Sequence, residues 1–109
     1  MFSHATPLGE FEQMVLLAVL CVARQEDAYG VNVHRELEAR TARRVTRAAV
    51  YMTLDRLEKK GLLKSHRTEP TPERGGRAKR CYTATGRAMV ALHESRAALL
   101  RLWEGLSES

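Results

Sequence analysis

Thr46-Arg47-Ala48-Ala49-Val50-Tyr51-Met52-Thr53-Leu54-Asp55-Arg56-Leu57-Glu58-Lys59-Lys60-Gly61 reads as one helix with both ends signalled. Thr46 can cap the first unpaired amides, and Gly61 can take the left-handed conformation that ends a helix. Val50, Leu54 and Leu57 fall at i, i+4 and i+7, an apolar stripe that has to face a core, while Ala48, Met52, Asp55, Arg56 and Lys59 project from the other side. Half of the helix is therefore buried and half presented. On the outward N-terminal half, Ala48, Ala49 and Met52 are small or flexible and are flanked by Arg47, Tyr51 and Arg56, so the backbone can approach a partner closely. That outline suits a helix lying in a DNA major groove. An ordinary surface helix with solvated charges has the same outline, and these sixteen residues alone do not separate the two.

Upstream, Asp27 is placed to cap a second helix running to about Arg40, with Tyr29, Val33 and Leu37 at i, i+4 and i+8 as its buried stripe. Gly30 would allow close backbone approach, and Tyr29 reads as half core, its hydroxyl free to meet a phosphate. Thr41 to Val45 is a short turn that brings Arg43 and Arg44 to the start of the quoted helix. Further back, Thr6-Pro7 reads as a cap and first-turn proline, with Glu10 and Glu12 where the macrodipole favours acids. Phe11 to Ala23 is apolar on nearly every side, which predicts a helix enclosed by the rest of the fold or by a second subunit.

Downstream, the pattern shortens. Leu62 to Thr68 and Lys79 to Thr83 read as two strands of a hairpin. Between them, Gly75-Gly76 is flanked by Arg74 and Arg77, with Lys79 and Arg80 behind: either a basic finger for a minor groove or phosphates, or a solvated turn that is basic. From Gly86 to Leu106 the helical period returns, with Met89, Leu92, Leu99, Trp103 and Leu106 close to one stripe, helped by Val90, Ala97 and Leu100. A helix of about twenty residues is about 30 Å long, more than a small domain covers. Its apolar face therefore calls for a partner, either the same helix of a second subunit or the first helix of its own chain.

The 109 residues suffice for one domain with a core. From Arg40 to Tyr82 there are thirteen Lys and Arg against four acids, while the remaining residues hold five basic and nine acidic side chains. A basic middle between acidic ends is the footprint of a polyanion partner. Cys21 and Cys81 have neither metal-ligand spacing nor the density of a secreted scaffold, and read as reduced thiols of a cytoplasmic protein. Met14 to Ala23, ten apolar residues preceded by Glu10 and Glu12, is too short to span a bilayer and has the wrong flank for a signal peptide. His4, His34, His66 and His93 are scattered without partners at ligand spacing; His34 with Glu38 reads as a surface pair. No nucleophile motif or phosphate-binding glycine loop before a helix is present, so neither an enzyme nor a cofactor or metal is expected.

With these pieces in place, the chain resembles the PadR family of bacterial transcriptional regulators, in the short form with a single C-terminal helix. The resemblance spans roughly residues 8 to 106 and rests on five motifs in order. These are Leu8-Gly9-Glu10-Phe11-Glu12, Ala28-Tyr29-Gly30-Val31, Ala49 through Leu62, Glu73-Arg74-Gly75-Gly76-Arg77-Ala78-Lys79-Arg80, and Leu102-Trp103-Glu104-Gly105-Leu106. It implies a mainly α fold with a small β-hairpin: a winged helix-turn-helix over residues 1–83, then a dimerisation helix over 84–109 that packs with the first helix. It also implies a bacterial, cytoplasmic, nucleoid-associated repressor of promoters. Family members usually carry a longer segment after the wing than Cys81-Tyr82-Thr83-Ala84-Thr85-Gly86, so the second wing strand or the start of the last helix is expected to differ here.

On this reading Arg47, Ala48, Tyr51, Met52 and Arg56 approach the major groove behind the Thr46 cap, with Arg47 reading a base edge. Tyr29, Arg43, Arg44, Lys59, Arg74, Arg77 and Lys79 meet the backbone, and Gly75 and Gly76 let the wing tip come close. Two units about a two-fold axis predict an inverted-repeat operator on double-stranded DNA. Phe11, Met14, Met89, Leu92, Leu99, Trp103 and Leu106 are the expected dimer residues. The resemblance further implies a small aromatic effector at the dimer contact, and Trp103 either stacks on it or simply fills the contact. An architectural protein binding DNA without reading sequence, or a winged helix that binds protein, uses the same parts.

Overall fold

The Thr46 hydroxyl accepts a hydrogen bond from the Ala49 amide at 3.0 Å, and the third helix starts where that cap demands. The computed structural model describes residues 8–68 and 79–107 of the chain. Their order is α1 (Glu10–Ala23), α2 (Gly30–Thr41), α3 (Arg47–Lys59), β1 (Leu63–Arg67), β2 (Arg80–Ala84) and α4 (Gly86–Ser107), the winged helix-turn-helix order followed by one long helix. At its far end α3 is closed by Gly61 at φ 79°, with the Gly61 amide on the Glu58 carbonyl and the Leu62 amide on the Leu57 carbonyl. These two hydrogen bonds satisfy two carbonyls that the helix end would leave open.

Val15, Leu16 and Val19 of α1, Val33 and Leu37 of α2, and Val50, Leu54 and Leu57 of α3 meet in one core, which Leu62, Leu63, Ala88 and Leu92 complete. Each buried Leu or Val there contributes about 1.5–3 kcal/mol by leaving water. The stripe foreseen on α3 is wholly buried, and Thr53 joins it. On α1 the enclosure has a gap, because Leu17 stays half exposed.

Two helix starts differ from the sequence expectation. Thr6 and Pro7 lie outside the described residues, and α1 begins beyond them at Glu10 because Glu12 reaches back to accept the Gly9 amide at 3.1 Å. Gly9, in an extended conformation, is thus the cap. Asp27 does not cap α2; Tyr29 stands at that position without a side-chain cap, since Asp27 lies two residues too early and receives the Tyr29 hydroxyl instead.

The hairpin is antiparallel, with Leu63 opposite Ala84 and Arg67 opposite Arg80. An isolated two-stranded ribbon is marginal in water. Here the outer edge of β2 is also paired: the Tyr82 amide donates to the Ala28 carbonyl at 3.0 Å, and Tyr29 bridges Cys81. The short segment after the wing costs neither element. β2 runs straight into α4 through Thr85, whose hydroxyl donates to the Gly61 carbonyl at 2.9 Å and accepts the Ala88 amide at 3.3 Å as a helix cap.

α4 is 22 residues long, about 33 Å. Its first two turns belong to the core of the domain through Ala88, Ala91 and Leu92; beyond Leu92 none of its described residues is buried.

Candidate nucleic-acid interface

The face of α3 that turns away from the core carries Arg47, Ala48, Tyr51, Met52, Asp55, Arg56 and Lys59, all exposed. Met52 is 64% exposed, which is high for a large apolar residue and fits a surface held ready for contact. Tyr51 is half committed: its ring lies over Gly30 at the start of α2, where the missing side chain leaves room for it. The close approach expected at Gly30 is therefore made by Tyr51. The hydroxyl of Tyr29 is not free, because it donates to Asp27 at 3.3 Å, and the ring of Tyr29 lies under the Lys79 ammonium at 5.2 Å. These contacts place Lys79 at the root of the wing.

The turn between α2 and α3 is built from side chains of α2. Ala42 ends α2 in the left-handed region at φ 57°. Thr41 accepts the Arg43 amide through its hydroxyl, and Val45 is held at both of its backbone polar groups. His34 Nε2 donates to the Val45 carbonyl at 2.7 Å, and Glu38 Oε2 accepts the Val45 amide at 3.0 Å. His34 and Glu38, expected to form a surface pair, thus close the turn; their own separation is 3.7 Å. Both residues lie one helical turn apart on the side of α2 that the turn folds onto.

The positive charge of the middle segment is thinned by internal pairs. Arg43 meets Glu10 at 3.4 Å, Lys59 meets Asp55 at 3.2 Å, Lys60 meets Glu12 at 2.7 Å and Arg80 meets Glu58 at 3.6 Å, while Arg40 pairs with Glu36. The exposed pairs are worth little and open readily to a phosphate. Arg44 and Arg47, on either side of Thr46, have no ion-pair partner among the described residues, nor do Lys64 and Arg67 on β1.

Lys60–Glu12 differs from the rest in being buried at the carboxylate end. Burial pushes the Glu12 carboxyl up, but hydrogen bonds from Lys60 and the Gly9 amide, with the charges of Lys60 and Arg56, outweigh it and hold the group below its ordinary range. The pair ties the first turn of α1 to the end of α3.

Of the wing-tip residues expected on DNA, Arg74, Gly75, Gly76 and Arg77 lie outside the described residues. Of those expected at a dimer contact, Phe11 and Met14 are partly buried against the core, whereas Met89, Leu99, Trp103 and Leu106 are exposed. Leu92 is placed differently from the expectation: it falls on the inner side of the second turn of α4 and closes the core of its own chain. Among the described residues no His, Cys, Asp and Glu cluster could hold a metal ion, and no helix is long and apolar enough to cross a membrane.

The model of the transcriptional regulator PadR-like family matches residues 19–94. Among solved structures, a PadR-like transcription factor from Bacteroides fragilis is 23% identical, with a TM-score of 0.73 over 90% of this chain and 87% of that one. A PadR family regulator from Clostridium difficile R20291 is 19% identical, with a TM-score of 0.67 over 88% of this chain and 95% of that one. A PadR-like regulator from Bacillus cereus is 18% identical, with a TM-score of 0.66 over 90% and 88%. At these identities the structures speak for a shared fold. No curated protein matches in sequence.

Proposed function

The chain belongs to the PadR-like family of transcriptional regulators, proteins that bind DNA and are not enzymes, and from that premise we propose that it acts as a homodimeric repressor on inverted-repeat operators. The observation that carries this reading is the presented face of α3, where Arg47, Ala48, Tyr51 and Met52 stand exposed behind a firm Thr46 cap with Arg44 unpaired beside them. Small side chains let the helix enter a major groove, Arg47 can donate two hydrogen bonds to a guanine, and Arg44 can meet a phosphate. Lys79, Lys64 and Arg67 would carry the contact onto the wing. Arg74 and Arg77 of the tip join them on the sequence reading.

A second copy is the occupant proposed for the outer half of α4. Leu99, Leu102, Trp103 and Leu106 are 52%, 71%, 66% and 69% exposed, an apolar row that water does not favour and that an identical helix can cover about a two-fold axis. Two α3 helices then address half-sites about one helical turn apart. A flat aromatic effector stacking on Trp103 at that contact would shift the spacing of the two units and release the operator.

Footprinting on the region upstream of its own gene, at physiological salt, tests the reading. Two protected half-sites related by a two-fold are expected, together with a solution mass of twice the chain. Equal binding to scrambled duplex would favour an architectural role instead. For the effector, saturable quenching of Trp103 fluorescence with release of DNA is the expected result; as the chain has one tryptophan, the signal has a single source.

A further inference from the structure

We propose that His34 and Glu38 are positioning residues for sequence reading: they set the N-terminal end of α3 in the groove without touching DNA themselves. The proposal rests on α3 being the helix that reads DNA. Val45 is the last residue before the Thr46 cap, and α2 grips it from one side at both backbone groups, with the carbonyl on His34 Nε2 at 2.7 Å and the amide on Glu38 Oε2 at 3.0 Å. A carbonyl can only accept, so the Nε2 atom carries a proton in this contact. Turn residues ordinarily give such groups to water. Here the peptide planes on both sides of Val45 are fixed by two side chains that are themselves one helical turn apart on a rigid element, and the Val45 side chain packs against the core.

The leverage follows from distance along the chain. Arg47 and Ala48 lie two and three residues after Val45, so a tilt of the clamped peptides moves the first turn of α3 directly. Base-edge hydrogen bonds weaken steeply with a shift of a few tenths of an ångström or a poor angle. Phosphate contacts made by long, flexible arginines tolerate the same shift. Earlier in the turn the Ala42 amide bonds the Glu38 carbonyl at 3.0 Å and the Arg43 amide the Thr41 hydroxyl at 3.3 Å. Between these and the Thr46 cap the Val45 clamp alone holds the backbone, since the Arg44 side chain is exposed and no hydrogen bond holds its amide among the described residues. Loss of the clamp should therefore lower discrimination between sequences and leave general DNA affinity in place.

The test uses the full chain, a duplex selected from random sequence by the unaltered protein, and a scrambled duplex of the same composition. His34→Ala and Glu38→Ala are expected to lower the ratio of selected to scrambled affinity by about tenfold, the scale of one good base contact. Scrambled-duplex affinity and the salt slope should stay unchanged. His34→Gln, which keeps an amide donor, and Glu38→Gln, which keeps an oxygen acceptor, should restore the ratio to within about threefold of the unaltered protein. An unmoved ratio, a parallel fall on both duplexes, or glutamine variants no better than alanine would overturn the proposal. Should an alanine variant fail to fold, amide exchange in the unaltered protein decides: the Val45 amide is expected to be protected and the Arg44 amide not, and rapid exchange at Val45 would sink the clamp. Arg47→Ala separates the two levels. If it binds the selected duplex as tightly as the unaltered protein, α3 is not the reading helix and the clamp has nothing to position; if it loses that duplex while the clamp variants do not, only the clamp is wrong.

Discussion

The ring of Tyr51 occupies the space that a side chain at position 30 would need: a Cβ added to Gly30 would lie 2.5 Å from Tyr51 Cε1. Gly30→Ala should therefore displace the ring from the α2–α3 junction. Alanine favours the helix by under about 1 kcal/mol, so overall stability should change little, whereas DNA affinity should fall several-fold as Tyr51 moves. A double-mutant cycle checks the cause, because the Gly30→Ala loss should vanish in a Tyr51→Ala background. An equal loss in both backgrounds would exclude the ring as its route.

Ala42 holds a left-handed conformation that suits glycine far better than alanine. The strain of about 1–2 kcal/mol exceeds the extra chain entropy that a glycine brings to the unfolded state, about 0.5–1 kcal/mol. Ala42→Gly is thus expected to raise stability by about 0.5–1 kcal/mol in urea unfolding. A lower midpoint at an unchanged slope would contradict the left-handed cap.

Glu12 gives the fold a pH dependence with a definite sign. Its folded-state carboxyl titrates below its ordinary value near 4.5, so its contribution is complete above that value and is lost as the pH falls through the lowered one. Glu12→Gln should flatten the loss of stability on acidification below about pH 4.5, and at neutral pH it should cost about 1 kcal/mol by giving Lys60 a neutral acceptor in place of a carboxylate. Melting curves of both proteins between neutral and acid pH measure the difference. Parallel curves would show that the pair is not formed.

Arg44 stands beside the Thr46 cap with no acid to hold it. If it meets a phosphate, Arg44→Ala should weaken binding to selected and scrambled duplexes alike and flatten the salt slope by about one unit. A loss confined to the selected duplex would make Arg44 a base reader instead.

The parts legible in the sequence are those whose signals are local. Thr46 and Gly61 announce the two ends of α3, and Val50, Leu54 and Leu57 announce its buried side, all by spacing within one element. What escaped reading depends on contacts across elements or on residues that carry no local signal. Alanine gives no hint that position 42 is left-handed, and Tyr29 has no capping side chain to mark the start of α2. Glu12 has a sufficient local explanation as an acid in a first turn, which hides its bond to Lys60, 48 residues away. His34 and Glu38 are spaced as a surface pair, and only the fold of the turn brings Val45 to them. Leu92 keeps the helical period of the exposed row but sits where α4 still touches the domain. The presented face of the candidate site was readable from the sequence, and the supports behind it were not.

Thr68 and Lys79 close the root of the hairpin, the Thr68 amide on the Lys79 carbonyl at 2.8 Å and the Lys79 amide on the Thr68 hydroxyl at 3.3 Å, while Ala28 secures the outer edge of β2. With its root tied by Thr68 and Lys79 and its outer edge by Ala28, the ribbon draws its support from described residues on the domain side, so a change of sequence farther out leaves those bonds in place. Selection can retune that segment of the protein independently, generation after generation, with the foundations left as they are.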